Sequence, residues 1–135
     1  NQVIGEDKNS HSVNNSVPED LIFNGDDFYL ISLFQNLLDN AQKYSPDGSE
    51  INIYSESNPS KIILCVSDQG VGIAEVEKSK IFNRFYRIED EETRSSKGTG
   101  LGLFLVDQIV RMHGGKIICK NNTPRGSIFE LQFKK

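Results

Sequence analysis

A chain of 135 residues, 36% hydrophobic and 25% charged, with 11 Gly and no Trp, has the size and composition of one globular domain with a sizeable core. Its formal net charge of −4 excludes a general attraction to nucleic acid or to an anionic membrane, so any phosphate it binds must be met by a few placed residues. No apolar run approaches the ~18 residues of a membrane span and no signal peptide is visible, while Cys65 and Cys119 sit apart in apolar runs; the pattern reads as a cytoplasmic, reduced domain.

The chain opens without an initiator Met and is expected to be a piece of a longer protein. Residues 1–15 are polar and rich in Asn and Ser, a linker remnant or a short edge strand over 12–15, and the domain proper is expected over 16–135. A strand is predicted over 18–23, turned by Asn24-Gly25-Asp26, with Asp26 as N-cap of a helix over 27–44. In that helix Ile31, Phe34, Leu37, Leu38 and Ala41 recur at the spacing of one buried stripe. Asn36, Asn40 and Lys43 line another face. Asn is a poor helix former, so two of them on one face mark either a solvated surface or a site. Pro46 stops the helix.

A half-buried strand over 51–55 alternates at period two, and the β-branched run over 62–66 suits a central strand. It leads into Asp68-Gln-Gly70-Val-Gly72-Ile73. A short helix over 75–82, the aromatic and cationic run Arg84-Phe-Tyr-Arg87, and a polar lid over 88–97 follow. Gly98-Thr99-Gly100-Leu101-Gly102 then opens an apolar helix over 103–112, which His113-Gly114-Gly115 ends with a glycine in a left-handed position. Strands over 116–120 and 127–133 flank the turn Pro124-Arg125-Gly126, with Phe129, Leu131 and Phe133 on one face. Hairpins mixed with crossovers predict an α+β fold, a two-layer α/β sandwich in which a mixed sheet of about five strands carries three helices on one face.

Two of these segments carry recognisable chemistry. Asp68-x-Gly70-x-Gly72 ends a buried strand, where open sheets tend to place ligands; a carboxylate there accepts two hydrogen bonds and the glycines admit a flat group. The same residues are also ordinary turn formers. Gly98 to Gly102 exposes amides at a helix N-terminus, which favours an anion. It is neither a P-loop nor a dinucleotide fingerprint. With the Asn36 helix, these parts describe one pocket for a purine nucleotide whose phosphates are bridged by Mg²⁺, a hard cation suited to amide oxygens and water.

Taken in order, Asn36-Leu-Leu-Asp-Asn40-Ala-x-Lys43-Tyr44, Asp68-x-Gly-x-Gly72, Phe82-Asn-Arg-Phe85-Tyr-Arg87, Gly98-Thr-Gly-Leu-Gly-Leu103 and Gly126-Ser-x-Phe129 resemble the catalytic and ATP-binding domain of sensor histidine kinases. That group shares a Bergerat-type ATP fold with gyrase, Hsp90 and MutL, and the resemblance runs from about Asp26 to Phe133. It implies that Asp68 accepts from the adenine amine, with Gly70, Gly72 and Ile73 completing that end. It implies that Asn40, with Asn36, ligates or orients Mg²⁺, that Lys43 meets phosphate and that Tyr44 flanks the nucleotide. Gly98, Thr99, Gly100, Leu101, Gly102 and Leu103 would cradle the phosphates, with Arg84, Arg87, Arg94 and Lys97 as nearby cations and Phe82 and Phe85 anchoring the lid. Asn83 stands where relatives often have Glu. Ile128 stands where they often have Thr, which would remove a hydroxyl from the adenine network, with Ser127 on the opposite face of the strand.

Hydrolysing relatives carry Glu at the position of Asn36, as general base; Asn takes no proton at neutral pH, so transfer to a neutral imidazole is favoured over hydrolysis. Neither His11, in a polar tail, nor His113, at a helix C-terminus, fits the acceptor. The resemblance therefore implies phosphoacceptor and dimerisation helices upstream, a downstream response regulator, a monomeric fragment of a homodimeric protein, and a cytoplasmic domain of a membrane-anchored bacterial sensor. The alternatives are a nucleotide-sensing module without transfer, which the Ile128 departure supports, and a serine kinase of the anti-sigma type.

Overall fold

The computed structural model of the chain describes residues 11–19, 21, 25–83 and 102–135. Five strands form one mixed sheet in the order β1-β2-β3-β5-β4. They are β1 (Ser12–Asn15), β2 (Glu50–Ser57), β3 (Lys61–Ser67), β4 (Lys116–Asn121) and β5 (Ser127–Lys134). β1 runs parallel to β2 and every other pair is antiparallel. The alternation of each strand sends Ile51, Ile53, Ile62, Leu64, Val66, Phe129, Leu131 and Phe133 to one face, where they are buried. β3 lies in the middle of the sheet, as its continuous apolar run requires.

Helices α1 (Asp27–Tyr44) and α2 (Gly102–Met112) cover that face. Asp26 caps α1: its Oδ1 accepts from the Phe28 N–H at 2.9 Å, meeting one of the amide groups that the helix start leaves open. Past the C-terminus, Ser45 Oγ donates back to the Ala41 carbonyl and Pro46 forbids another turn. α2 closes with a Schellman turn, in which Gly114 takes φ +76° while Gly114 N and Gly115 N donate to the Arg111 and Val110 carbonyls.

His113 ties the two helices together. Its Nδ1 lies 2.8 Å from the Ile109 carbonyl, and its Nε2 accepts from the Asp26 N–H at 3.2 Å. The carbonyl requires the proton on Nδ1 and the amide requires a bare Nε2, so both contacts select one neutral tautomer. The C-terminus of α2 thus sits against the N-terminus of α1, and the helices run antiparallel.

Several expectations change. Of three helices, two are α-helical; Glu75–Glu77 is a 3-10 turn, continued by single turns to Asn83. That segment is short and, of its apolar side chains, buries only Ile81 fully and Phe82 in part, too little to hold an α-helical nucleus. The strand expected over 18–23 is absent among its described residues: Leu21 N donates to the Pro18 carbonyl in a turn, and β1 already occupies the edge of β2. In α1 the buried stripe is Leu33, Leu37, Leu38 and Ala41 with Phe34 partly covered, whereas Ile31, about a quarter-turn from its centre, is 49% exposed. α2 buries Val106, Ile109 and Val110 but leaves Leu105 and Met112 exposed. His11, expected in a polar tail, is buried and donates from Nε2 to the Ser45 carbonyl at 3.2 Å.

Candidate functional site

The antiparallel helices and the end of β3 converge at one end of the sheet. Asn36, Asn40 and Lys43 occupy successive turns of α1, with the two amides partly buried and Lys43 exposed. Asn36 Nδ2 donates to the Ser32 carbonyl at 2.8 Å, which orients the amide and leaves Oδ1 directed away from the helix backbone. That oxygen faces the first turn of α2, where a Cβ on Gly102 would lie only 3.2 Å from it. The side chain of Asn40 makes no hydrogen bond among the described residues. Lys43 Nζ lies 5.7 Å from the centroid of the Tyr44 ring.

Asp68 follows β3 on the core side of the sheet and is only 4% exposed. Burial pushes its carboxyl pKa up, and the N–H groups of Gly70 and Ser127 pull against that shift. Both donate to one oxygen, Oδ1, at 2.9 and 3.2 Å. Oδ2 receives no hydrogen bond among the described residues. Oδ2 is not sealed in the interior, so it can accept from a ligand donor while Oδ1 is held by the chain.

The glycines fit this arrangement for steric reasons. A Cβ on Gly70 would run into the Tyr44 carbonyl, so the loop after β3 packs directly on the last turn of α1. Gly126 has φ +106°, and a Cβ there would strike the Asp68 carbonyl. Gly72 has φ +79°. Ile73 and Leu103 are partly buried against the core. Phe82 sets its ring edge-on to Phe129 at 6.2 Å between centroids, a packing role.

The sequence of residues 25–135 matches the family described as histidine kinase-, DNA gyrase B-, and HSP90-like ATPase. The chain belongs to this ATPase family, among the catalytic domains of sensor histidine kinases. The fold of the mycobacterial sensor histidine kinase MprB superposes with a TM-score of 0.79 at 30% identity, covering 93% of this chain and 82% of that one. The catalytic domain of the histidine kinase ThkA gives 0.81 at 30% identity, covering 95% and 81%. Sensor protein SrrB of Staphylococcus aureus (strain NCTC 8325 / PS 47) is 41% identical over 100 residues, 74% of this chain. The chain spans 17% of that relative's length.

For a histidine kinase domain, the structure brings together Asn36, Gly102 and Leu103 on one side and Tyr44, Asp68, Gly70 and Gly72 on the other. Arg84, Arg87, Arg94, Lys97, Gly98, Thr99, Gly100 and Leu101, like Phe85, lie outside the described residues. One reading is corrected. Ser127, not position 128, shares the side of Asp68: it continues the inward alternation of Phe129 and Leu131 and is buried, with its N–H on the Asp68 carboxylate. Ile128 pairs with Ser67 on the outer face, so a hydroxyl at 128 would not face Asp68. Asn122 and Arg125, which no motif flagged, reach the same loop: Asn122 Nδ2 donates to the Asp68 carbonyl at 2.8 Å and Arg125 Nε to the Gly70 carbonyl at 3.0 Å. The only available signal was the turn composition around Pro124, which names no partner.

Proposed function

We propose that this domain binds ATP, selected by Asp68, and transfers its γ-phosphoryl group to a histidine on a separate dimerisation segment of a two-component sensor, which then serves a response regulator. The observation that carries this reading is the buried Asp68 carboxylate, fixed at Oδ1 by two N–H groups with Oδ2 left to accept. An exocyclic amine donates to such an oxygen; the carbonyl of guanine does not. At the other end Asn36 Oδ1, turned toward the start of α2, is a hard neutral donor of the kind Mg²⁺ accepts. Asn40 is the second such amide. When bound, Mg²⁺ supplies neutralisation of the phosphate charge; the chain's share is orientation through Asn36, Asn40 and Lys43 and the amides of Gly98 to Leu103.

Asn36 also bears on the fate of the phosphoryl group. Its amide nitrogen is engaged with Ser32, and no carboxylate stands in its place to take a proton from water. A neutral imidazole needs no base, so transfer to His is favoured over hydrolysis. The reading as a sensing module without transfer loses its support, because Ile128 faces away from Asp68. The full protein is read as a membrane-anchored homodimer. Calorimetric titration with ATP and Mg²⁺ tests the pocket. Binding of ATP well above GTP is expected, and equal affinity for the two would remove Asp68 from its role.

A further inference from the structure

We infer that the β4–β5 turn is a specificity clamp, in which Asn122 and Arg125 are positioning residues that set the Asp68 carboxylate for the adenine amine. This rests on the ATP reading above. Five contacts join the turn and the start of β5 to the loop after β3. Asp68 N donates to the Ser127 carbonyl at 2.9 Å and Ser127 N to Asp68 Oδ1 at 3.2 Å. Asn122 Nδ2 holds the Asp68 carbonyl, Arg125 Nε holds the Gly70 carbonyl, and Gly126 packs on Asp68 with no space for a side chain. The bonds from Asn122 and Arg125 span more than 50 residues of sequence, so they are tertiary and not features of a local turn.

Asn122 is itself pre-oriented. Its Oδ1 accepts from Thr123 N at 2.9 Å and its backbone N–H donates to the Gly126 carbonyl at 2.9 Å. With Oδ1 committed, Nδ2 has one direction left, toward Asp68. Both faces of the Asp68 peptide and the far side of Gly70 are therefore pinned from one turn. The Gly70 N–H, one of the two anchors of Oδ1, belongs to the residue whose carbonyl Arg125 holds. A carboxylate free to tilt by a few tenths of an ångström would lose directionality toward a small amine long before the fold was lost.

The test is displacement of a fluorescent ADP analogue from the 135-residue chain by ATP and by GTP, for the wild type, Asn122→Ala, Arg125→Ala and Arg125→Lys, with folding followed by circular dichroism. Losing a partly buried bond, Asn122→Ala is expected to weaken ATP about tenfold, and Arg125→Ala, on an exposed side chain, about threefold. GTP affinity should move less than about twofold, since guanine in the same pose sets its C6 carbonyl, an acceptor, where adenine has the amine, and Arg125→Lys should restore ATP binding because Lys still donates to a carbonyl. An equal fall for ATP and GTP, or wild-type ATP affinity in folded variants, overturns the clamp. If Asn122→Ala does not fold, the two Arg125 variants decide alone. Should Asp68→Asn leave ATP binding intact, the function reading falls and the clamp with it; should Asp68→Asn weaken ATP while the turn variants do not, only the clamp falls.

Discussion

At Asp68, stability and function pull in opposite directions. Burial raises its pKa in the folded state above the unfolded value, so its contribution to stability is fully present below the unfolded pKa, near 4, and is lost as pH rises through the folded pKa. At neutral pH the ionised group works against the fold. Asp68→Asn keeps an oxygen for the Gly70 and Ser127 N–H groups but turns the second oxygen into a donor. Thermal unfolding at pH 7 should show Asp68→Asn no less stable than the wild type, while its ATP affinity drops roughly 10–100-fold for a lost charge-assisted bond. A marked loss of stability at pH 7 would mean that the carboxylate is a structural element and not a site. Two other buried groups have no such tension. Burial pushes the thiols of Cys65 and Cys119 up to about 11, so thiolate is scarce at neutral pH. Both should resist alkylation by iodoacetamide in the native chain and react fully in guanidinium, read by mass spectrometry. Their place in apolar runs of the sequence, beside β-branched neighbours, agrees with their burial.

At the scale of elements, what was legible followed from local chemistry. The bounds of α1 were readable because Asp26 caps it and Pro46 stops it, and the left-handed glycine after α2 because a helix end demands one. Gly114 has φ +76° and nothing within contact of an added Cβ, so Gly114→Ala is a purely conformational change. It should destabilise the domain by roughly 1 kcal/mol in denaturant titration without altering nucleotide affinity. Gly126→Ala should do more, since it also strikes the Asp68 carbonyl and disturbs the site. Where sequence reading failed, the deciding factor was tertiary. Periodicity alone could not choose between Ile31 and Leu33 as the edge of the buried stripe, because that depends on where α2 lies. At the described residues 18, 19 and 21 no strand forms, and β1 holds the edge of β2, a competition no local pattern records. Arg125 read as a turn residue and Asn122 went unnoticed because their partners are more than 50 positions away.

At the scale of the whole molecule, the described sheet, covered on one face by antiparallel α1 and α2, brings three distant segments to one end. His113 holds the far ends of α1 and α2 together, which sets how the Asn36 wall meets Gly102. The loop after β3 packs on Tyr44 through Gly70, so the carboxylate and the amide wall form one rigid assembly. The motif order made that convergence legible; its geometry depended on glycines that permit contacts between backbones. On the proposed function, Asn36 offers water no base at its position, and slow turnover by the isolated domain is predicted. Glutamate at position 36, the Asn36→Glu variant, should raise hydrolysis measurably in a phosphate-release assay if the lack of a base is what limits it.

The most direct test of the central claim is transfer itself. The chain is mixed with a helical segment carrying the proposed phosphoacceptor histidine and with γ-labelled ATP and Mg²⁺, and the stability of the label on that segment is measured. Acid-labile, base-stable label is the predicted result, as expected for phosphohistidine. Acid-stable label, marking Ser or Thr, or ATP consumed to free phosphate with no label on the segment, would contradict the account.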